Sequence, residues 1–113
     1  MKNYVEIVKV GTFYQVFGKD SLIINYLFNY KISHNRCGFP LKNIDYVISV
    51  LKKNHINFRC EDIVSKYDNN KYFDIYYEAE HKMEIKKRID SIIDCLYNDN
   101  LLLEKVEDLC RIN

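Results

Sequence analysis

A short segment near the amino terminus, residues 11 to 17, places aromatic and amide side chains where they can contact a nucleic acid base. Its sequence is Gly-Thr-Phe-Tyr-Gln-Val-Phe, and aromatic and β-branched residues favour a β-strand. Because side chains alternate along a strand, Phe13 and Gln15 share one face while Tyr14 and Val16 share the other. An exposed Phe can enter a base step from the minor groove and kink the duplex. The same alternation also fits a Phe13 that packs in the core, which is the commoner position for such a residue.

Groups that catalysis needs are not arranged together in this sequence. There is no Gly-x-x-x-x-Gly-Lys-Ser/Thr motif, and three isolated glycines cannot form a phosphate-binding loop. The histidines stand at unrelated spacings, at His34, His55 and His81, and we expect them to be solvated or capping groups. The neighbouring carboxylates have no partner that would complete an acid and base pair. We therefore predict a chain without enzymatic activity and without a cofactor.

The cysteines are spaced too far apart for a metal-binding motif. They occur at Cys37, Cys60, Cys95 and Cys110. No Cys-x-x-Cys pair is present and no histidine stands at ligand spacing, so no zinc site is predicted. The amino-terminal residues lack an apolar run of the signal-peptide type, and no stretch reaches the roughly 18 apolar residues of a membrane span. We expect free thiols in a cytoplasmic protein that does not contact a membrane.

Length and charge set limits on the function. A chain of 113 residues is expected to form a single domain over residues 1 to 113. Its net charge of +1 argues against a simple electrostatic attraction to nucleic acid. Residues 1 to 62 carry nine basic and five acidic side chains, however, and the remainder carries eight basic and eleven acidic. The formal charge is therefore +4 for residues 1 to 62 and −3 for the remainder, and a polyanion is expected to bind the first half.

The pattern along the first two thirds of the chain predicts alternating strands and helices. Residues 4 to 17 favour two strands that meet at Gly11. Asp20 or Ser21 is expected to cap a following helix, residues 30 to 35 to form a loop, and residues 37 to 40 to form a turn or a strand end. A second helix follows Asn43, because apolar residues recur there at helical spacing. They are Ile44, Val47, Ile48 and Leu51.

The remainder of the chain is predicted to be mostly helical. Residues 56 to 60 favour a strand, and a turn at residues 68 to 70 is expected to lead into another strand over residues 72 to 77. A helix over residues 79 to 97 and a last amphipathic helix follow. The expected inward side chains are Ile85, Ile89, Ile92, Ile93 and Leu96, then Leu102, Leu103, Val106 and Leu109. The predicted fold class is α+β, with a small mixed sheet flanked by helices.

Two motifs in register resemble a known family. The segment GTFYQVF is similar to the Gly-x-Phe-Tyr-Glu-x-Phe element of the mismatch-sensing amino-terminal domain of the MutS family. The segment CGFPLKNIDYVISVLKKNHINFRCED resembles the following part of that domain, a small-residue-Gly-Ile/Val-Pro segment, an amphipathic helix and a strand that ends near Cys-Glu. Order and approximate spacing agree over residues 5 to 62, and residues 78 to 113 form a helical extension outside the resemblance.

The resemblance implies a domain that binds double-stranded DNA at mispaired or distorted steps. Phe13 corresponds to the residue that stacks on the mismatched base, and Gln15 corresponds to the Glu that hydrogen-bonds it. Lys42 falls where some members place a basic contact to the DNA backbone. From their charge, Lys9, Arg36, Lys52 and Lys53 are further candidates to line one side with Phe13. The clamp, connector and ATPase regions have no counterpart in this sequence, so no ATP-driven cycle is expected.

Gln15 is a departure from the family, because a neutral amide does not repel phosphates and can both donate and accept a hydrogen bond. We therefore expect poorer discrimination between mismatched and perfect duplexes than the family shows. Two functions stay open. One is a DNA-binding module that acts with a protein partner or as a homodimer, and the other is a protein-interaction or regulatory domain that keeps the fold without DNA recognition. The exposure of Phe13 separates them, since a solvent-facing ring favours DNA binding.

Overall fold

The computed structural model describes residues 2 to 98, with side chains to residue 95. The chain forms two compact units, Met1–Glu80 and His81–Asn113, which are described separately. The elements are β1 (Val5–Val10), β2 (Phe13–Phe17), α1 (Lys19–Phe28), β3 (Ile32–Ser33), β4 (Arg36–Pro40), a 3-10 turn (Leu41–Asn43), α2 (Ile44–Lys53), β5 (Phe58–Cys60), β6 (Ile63–Ser65) and α3 (Tyr72–Asn98). The predicted α+β class is confirmed.

The six strands form one mixed sheet in the order β3-β4-β2-β1-β5-β6. Strands β1 and β5 pair in parallel, and all other neighbouring strands pair antiparallel. The predicted hairpin is present, with Val10 opposite Phe13 across a two-residue turn. Gly11 occupies this turn with a φ of 62°, a conformation that glycine adopts without strain. The hairpin therefore places β2 near the centre of the sheet.

One face of the sheet packs against the helices. Alternate residues of the strands point into this core, and its buried strand residues are Val5, Ile7, Tyr14, Val16, Cys37, Phe39, Phe58 and Cys60. Helix α2 contributes Val47 and Leu51, which are fully buried, with Ile44 and Ile48 packed beside them. The helical spacing read from the sequence thus identified the correct face of α2.

A buried carboxylate joins the core elements. Asp20 is only 1% exposed, and its side chain accepts hydrogen bonds from the Glu6 backbone N–H at 3.0 Å and from the Tyr72 hydroxyl at 2.7 Å. It also forms an ion pair with Lys2. Burial, followed by the hydrogen bond to Asp20, raises the pKa of Tyr72, so that this hydroxyl remains a donor. Asp20 thereby links β1, α1 and the start of α3.

The expected cap of α1 was wrong. Gly18, with a φ of 58°, occupies the N-cap position without a side-chain hydrogen bond. Asp20 and Ser21 lie inside the first turn instead, where Ser21 donates from its hydroxyl to the Gly18 carbonyl. The carboxylate of Asp20 is drawn into the core by donors from distant elements, which a local capping rule does not consider.

Three further local predictions differ from the structure. The expected loop at residues 30 to 35 contains the short strand β3, and residues 37 to 40 belong to the full strand β4. Residues 72 to 77 begin α3 and are not a strand. The side-chain oxygen of Asn70 accepts the Tyr72 backbone N–H at 3.1 Å and the Asn57 backbone N–H at 3.0 Å. Asn70 therefore starts the helix and attaches it to Asn57, the residue before β5, which favours helix over strand.

The unit that begins at His81 shows a helix with exposed apolar residues. Ile85, Ile89, Ile92 and Ile93 are 42 to 59% exposed, so the prediction that they point inward was wrong for the residues described. Glu84 and Arg88 form an exposed ion pair at 2.9 Å. The side chain of Leu96 and the predicted last amphipathic helix lie outside the described residues. Within the described part of the chain, no helix is both long and apolar enough to span a membrane.

Replacing Asp20 by Asn should destabilise the protein by about 2 to 4 kcal/mol, because the amide offers one acceptor to groups that all donate. Urea denaturation followed by circular dichroism measures this cost. The matched control is Glu84→Gln, which removes an exposed ion pair and should cost no more than about 0.5 kcal/mol. A cost below about 1 kcal/mol for Asp20→Asn would contradict the role of this carboxylate as the link between elements.

The orientation of β4 predicts the reactivity of its cysteine. Burial raises the pKa of Cys37 to about 11, so roughly one molecule in a thousand carries its thiolate at a pH near 8. In a Cys110→Ser background, a thiol reagent should modify Cys95, which is exposed, while Cys37 and Cys60 are protected until urea is added. Peptide mass spectrometry identifies the modified site. Rapid modification of Cys37 in the native protein would show that β4 faces the other way.

Candidate nucleic-acid interface

The sheet face opposite the helices carries the candidate site, and we call it the open face. Cross-strand partners share a face, and the register places Val8, Gln15 and Gly38 in one row and Val10, Phe13 and Pro40 in the next. The open face comprises Glu6, Val8, Val10, Phe13, Gln15, Phe17, Arg36, Gly38, Pro40, Arg59 and Val64. It lies entirely within the unit Met1–Glu80.

Phe13 and Gln15 share one face of β2, the open face, as the alternation predicted. The Phe13 ring is 49% exposed, although it is a large apolar group. Gln15 is partly exposed on the same side of β2, while Tyr14 and Val16 are buried on the other side. An aromatic ring and an amide thus stand two residues apart on a rigid strand, which holds their relative positions better than a loop would.

The orientation of β2 is fixed from its buried side. The Tyr14 ring packs on the Phe39 ring with centroids 5.8 Å apart, and the Tyr14 hydroxyl donates to the Glu61 carboxylate at 3.4 Å. Desolvation, with added repulsion from Cys60 and Glu61, raises the pKa of Tyr14, so the phenol stays protonated. A shift of β2 by one residue would bury Phe13 and expose Tyr14, and these contacts prevent it.

The expected basic residues are only partly brought together. Arg36 is exposed on the open face as the cross-strand neighbour of Phe17. Lys42 is exposed in the 3-10 turn, two residues after Pro40. Lys9 pairs with Tyr14 in the register and therefore lies on the opposite side of the sheet from Phe13. Lys9 does not join the group that the sequence suggested.

Two features of the open face were missed at the sequence level. Phe17 is 46% exposed, and the spacing of four residues from Phe13 on a strand was a signal that could have identified it. Arg59 is exposed beside Glu6 because β5 pairs in parallel with β1. No local pattern indicates that pairing, so Arg59 could not have been placed from its neighbours in the sequence.

Gly38 leaves a gap in the side-chain layer beside Gln15. A methyl group built on Gly38 would lie 3.5 Å from the Tyr14 carbonyl oxygen and 3.6 Å from Gln15 Cγ, both ordinary contact distances. A methyl group would therefore fit at this position in contact with Gln15 and the Tyr14 backbone. In this protein the glycine keeps Gln15 accessible from the side of β4.

A cleft of about 680 Å³ lies at the β5 and β6 end of the sheet and shares Arg59 and Val64 with the open face. Its charged lining is mixed: Arg59 and Lys66 are basic, while Glu61 and Asp62 are acidic. The balance gives this cleft no preference for a polyanion. Among the residues described, no three His, Cys, Asp or Glu side chains are grouped to hold a metal ion.

The open face is therefore a largely apolar and aromatic surface with one amide, Gln15, two arginines, Arg36 and Arg59, and one carboxylate, Glu6. Searches of known protein families, of curated proteins and of solved structures found no match to this chain.

Proposed function

We propose that the protein is a DNA-binding module whose open face contacts duplex DNA at mispaired or easily deformed base steps. Phe13 enters the base step, and Gln15 hydrogen-bonds the edge of the displaced base. The observation that carries the proposal is the half-exposed ring of Phe13 on the same strand face as Gln15. Unstacking costs least where pairing is already faulty, so an inserted ring favours such steps.

The charge of the surface supports the same proposal. Arg36 and Lys42 lie on β4 and the turn that follows it, next to the strand that carries Phe13. Phosphate contacts from such residues position a protein on DNA without reading its sequence. Few cations are available, so the affinity should be weak and should fall steeply as salt increases.

A second candidate function is recognition of a protein partner. Five apolar side chains of the open face are each 39 to 54% exposed, and exposed apolar patches commonly mark protein interfaces. They are Val8, Val10, Phe13, Phe17 and Val64. In this case the face would bind protein and no DNA, and a protein partner or a homodimer would cover it.

Replacing Phe13 by Ala should weaken binding to a mismatched duplex about five- to hundredfold, because one stacking contact is lost. Fluorescence anisotropy with labelled mismatched and perfect duplexes measures this. The matched control is Tyr46→Ala, since Tyr46 is 60% exposed but belongs to α2. Equal losses in both variants, or an affinity that does not fall between about 50 and 200 mM salt, would contradict the proposal. An absence of DNA binding at low salt would favour the protein-interaction alternative.

Replacing Gln15 by Glu should raise the ratio of mismatched to perfect duplex affinity by roughly tenfold. The added carboxylate repels phosphates of the regular duplex, while at a mismatch it can still accept a hydrogen bond from the displaced base. Titration of both duplexes with wild type and variant gives the ratio. A variant with less discrimination than wild type would show that Gln15 does not read the base.

A further inference from the structure

Phe17 is a second exposed ring that insertion at a single base step does not use. It lies on the open face four residues from Phe13 on the same strand, and its cross-strand neighbour is Arg36. At about 3.3 Å of rise per residue the two rings are roughly 13 Å apart along β2. Arg36 is the cross-strand neighbour of Phe17, and Lys42 lies in the turn Leu41–Asn43, two residues after Pro40, the cross-strand neighbour of Phe13.

The surface between the two rings carries an amide and a glycine, and no aromatic side chain. Gln15 stands between Phe13 and Phe17 on β2, and its neighbour on β4 is Gly38. Gly38 has no side chain, so the surface of β4 beside Gln15 is lower by at least the methyl group that would fit there in contact with Gln15 Cγ. On the open face, strands β2 and β4 form a strip, which we call the β2 and β4 strip. Along β2 it carries the Phe13 ring, then the Gln15 amide beside Gly38, and then the Phe17 ring.

The distance between the two rings favours an unpaired DNA strand over a stacked one. Bases in a regular stack follow one another at about 3.4 Å per strand, so neighbouring bases of a stacked strand cannot reach both rings. A duplex would have to open at two separate steps, each at a cost of a few kcal/mol. An unpaired strand with splayed bases reaches both rings without this cost.

The charge of the strip matches the backbone of such a strand. Strands β2 and β4 and the turn Leu41–Asn43 contain two cations, Arg36 and Lys42, and no acidic residue. Surfaces that combine cations with exposed aromatic rings bind single strands, because every base has a face that can stack. The strip combines both features over one pair of strands.

We infer that the β2 and β4 strip binds single-stranded DNA over at least three nucleotides, an inference that rests on the proposed DNA-binding function of the same face. One base stacks on Phe17 and another on Phe13. The base between them lies over Gly38, where the Gln15 amide donates to or accepts from its edge. Arg36 and Lys42 contact the phosphates beside the two stacked bases.

Anisotropy with a labelled oligothymidine of about 12 nucleotides and with the mismatched duplex tests this inference. Phe17→Ala should weaken single-strand binding about five- to hundredfold and should change mismatched-duplex binding less than about twofold, because insertion there uses Phe13. The matched control is Tyr46→Ala, which removes an exposed aromatic side chain of α2, outside the open face. It should leave single-strand binding unchanged.

A second variant tests the gap. Gly38→Val should weaken single-strand binding at least about fivefold, since it fills the place of the middle base. Circular dichroism and the urea midpoint confirm that this variant folds, and Gly38→Ala should give a smaller loss.

The outcomes separate this inference from the function on which it rests. If the mismatched duplex binds through Phe13 while oligothymidine does not bind, or binds equally well to Phe17→Ala, the single-strand inference is overturned and the proposed function stands. Equal losses on both DNAs for Phe17→Ala would also overturn it, because Phe17 would then act on duplex. If neither DNA binds at low salt, both fail together.

Discussion

The two-residue repeat of the strands is the constraint on which the candidate site depends. Tyr14 and Val16 are held in the core, so Phe13, Gln15 and Phe17 must project from the other side of β2. The same rule on β4 buries Cys37 and Phe39 and leaves Arg36 and Gly38 exposed. A side chain on the open face is therefore positioned by the burial of its neighbours in the sequence. The core and the site are two sides of the same strands.

Asp20, which is buried in the core, stabilises the packing of the helices against the strands. Its carboxylate receives donors from β1 and from the first turn of α3, two elements that are far apart in the sequence. Removing one of these donors leaves a buried carboxylate partly unsatisfied, which costs about 1 to 3 kcal/mol. Asp20 therefore attaches α1 and the first turn of α3 to β1.

Local rules predicted those features that depend on local interactions. The hairpin at Gly11, the shared face of Phe13 and Gln15 and the buried side of α2 follow from alternation and helical spacing. The start of α3 could not be predicted in this way, since it depends on Asn70, whose side chain is held by the backbone of Asn57. The position of Arg59 likewise depends on the parallel pairing of β1 and β5. Contacts between distant segments decided these cases.

The basic residues of the first half do not form one basic surface in the structure. The excess of basic residues in the first half suggested a single basic side, yet Lys9 lies on the face that packs against the helices while Arg36 and Arg59 lie on the other. Net charge is therefore a poor guide to this surface. Strands β2 and β4 contain no acidic residue, and the acidic side chain of the open face is Glu6 on the neighbouring strand β1. In the proposed binding mode, stacking, which every base can provide, supplies most of the affinity for nucleic acid, and the few cations set its dependence on salt.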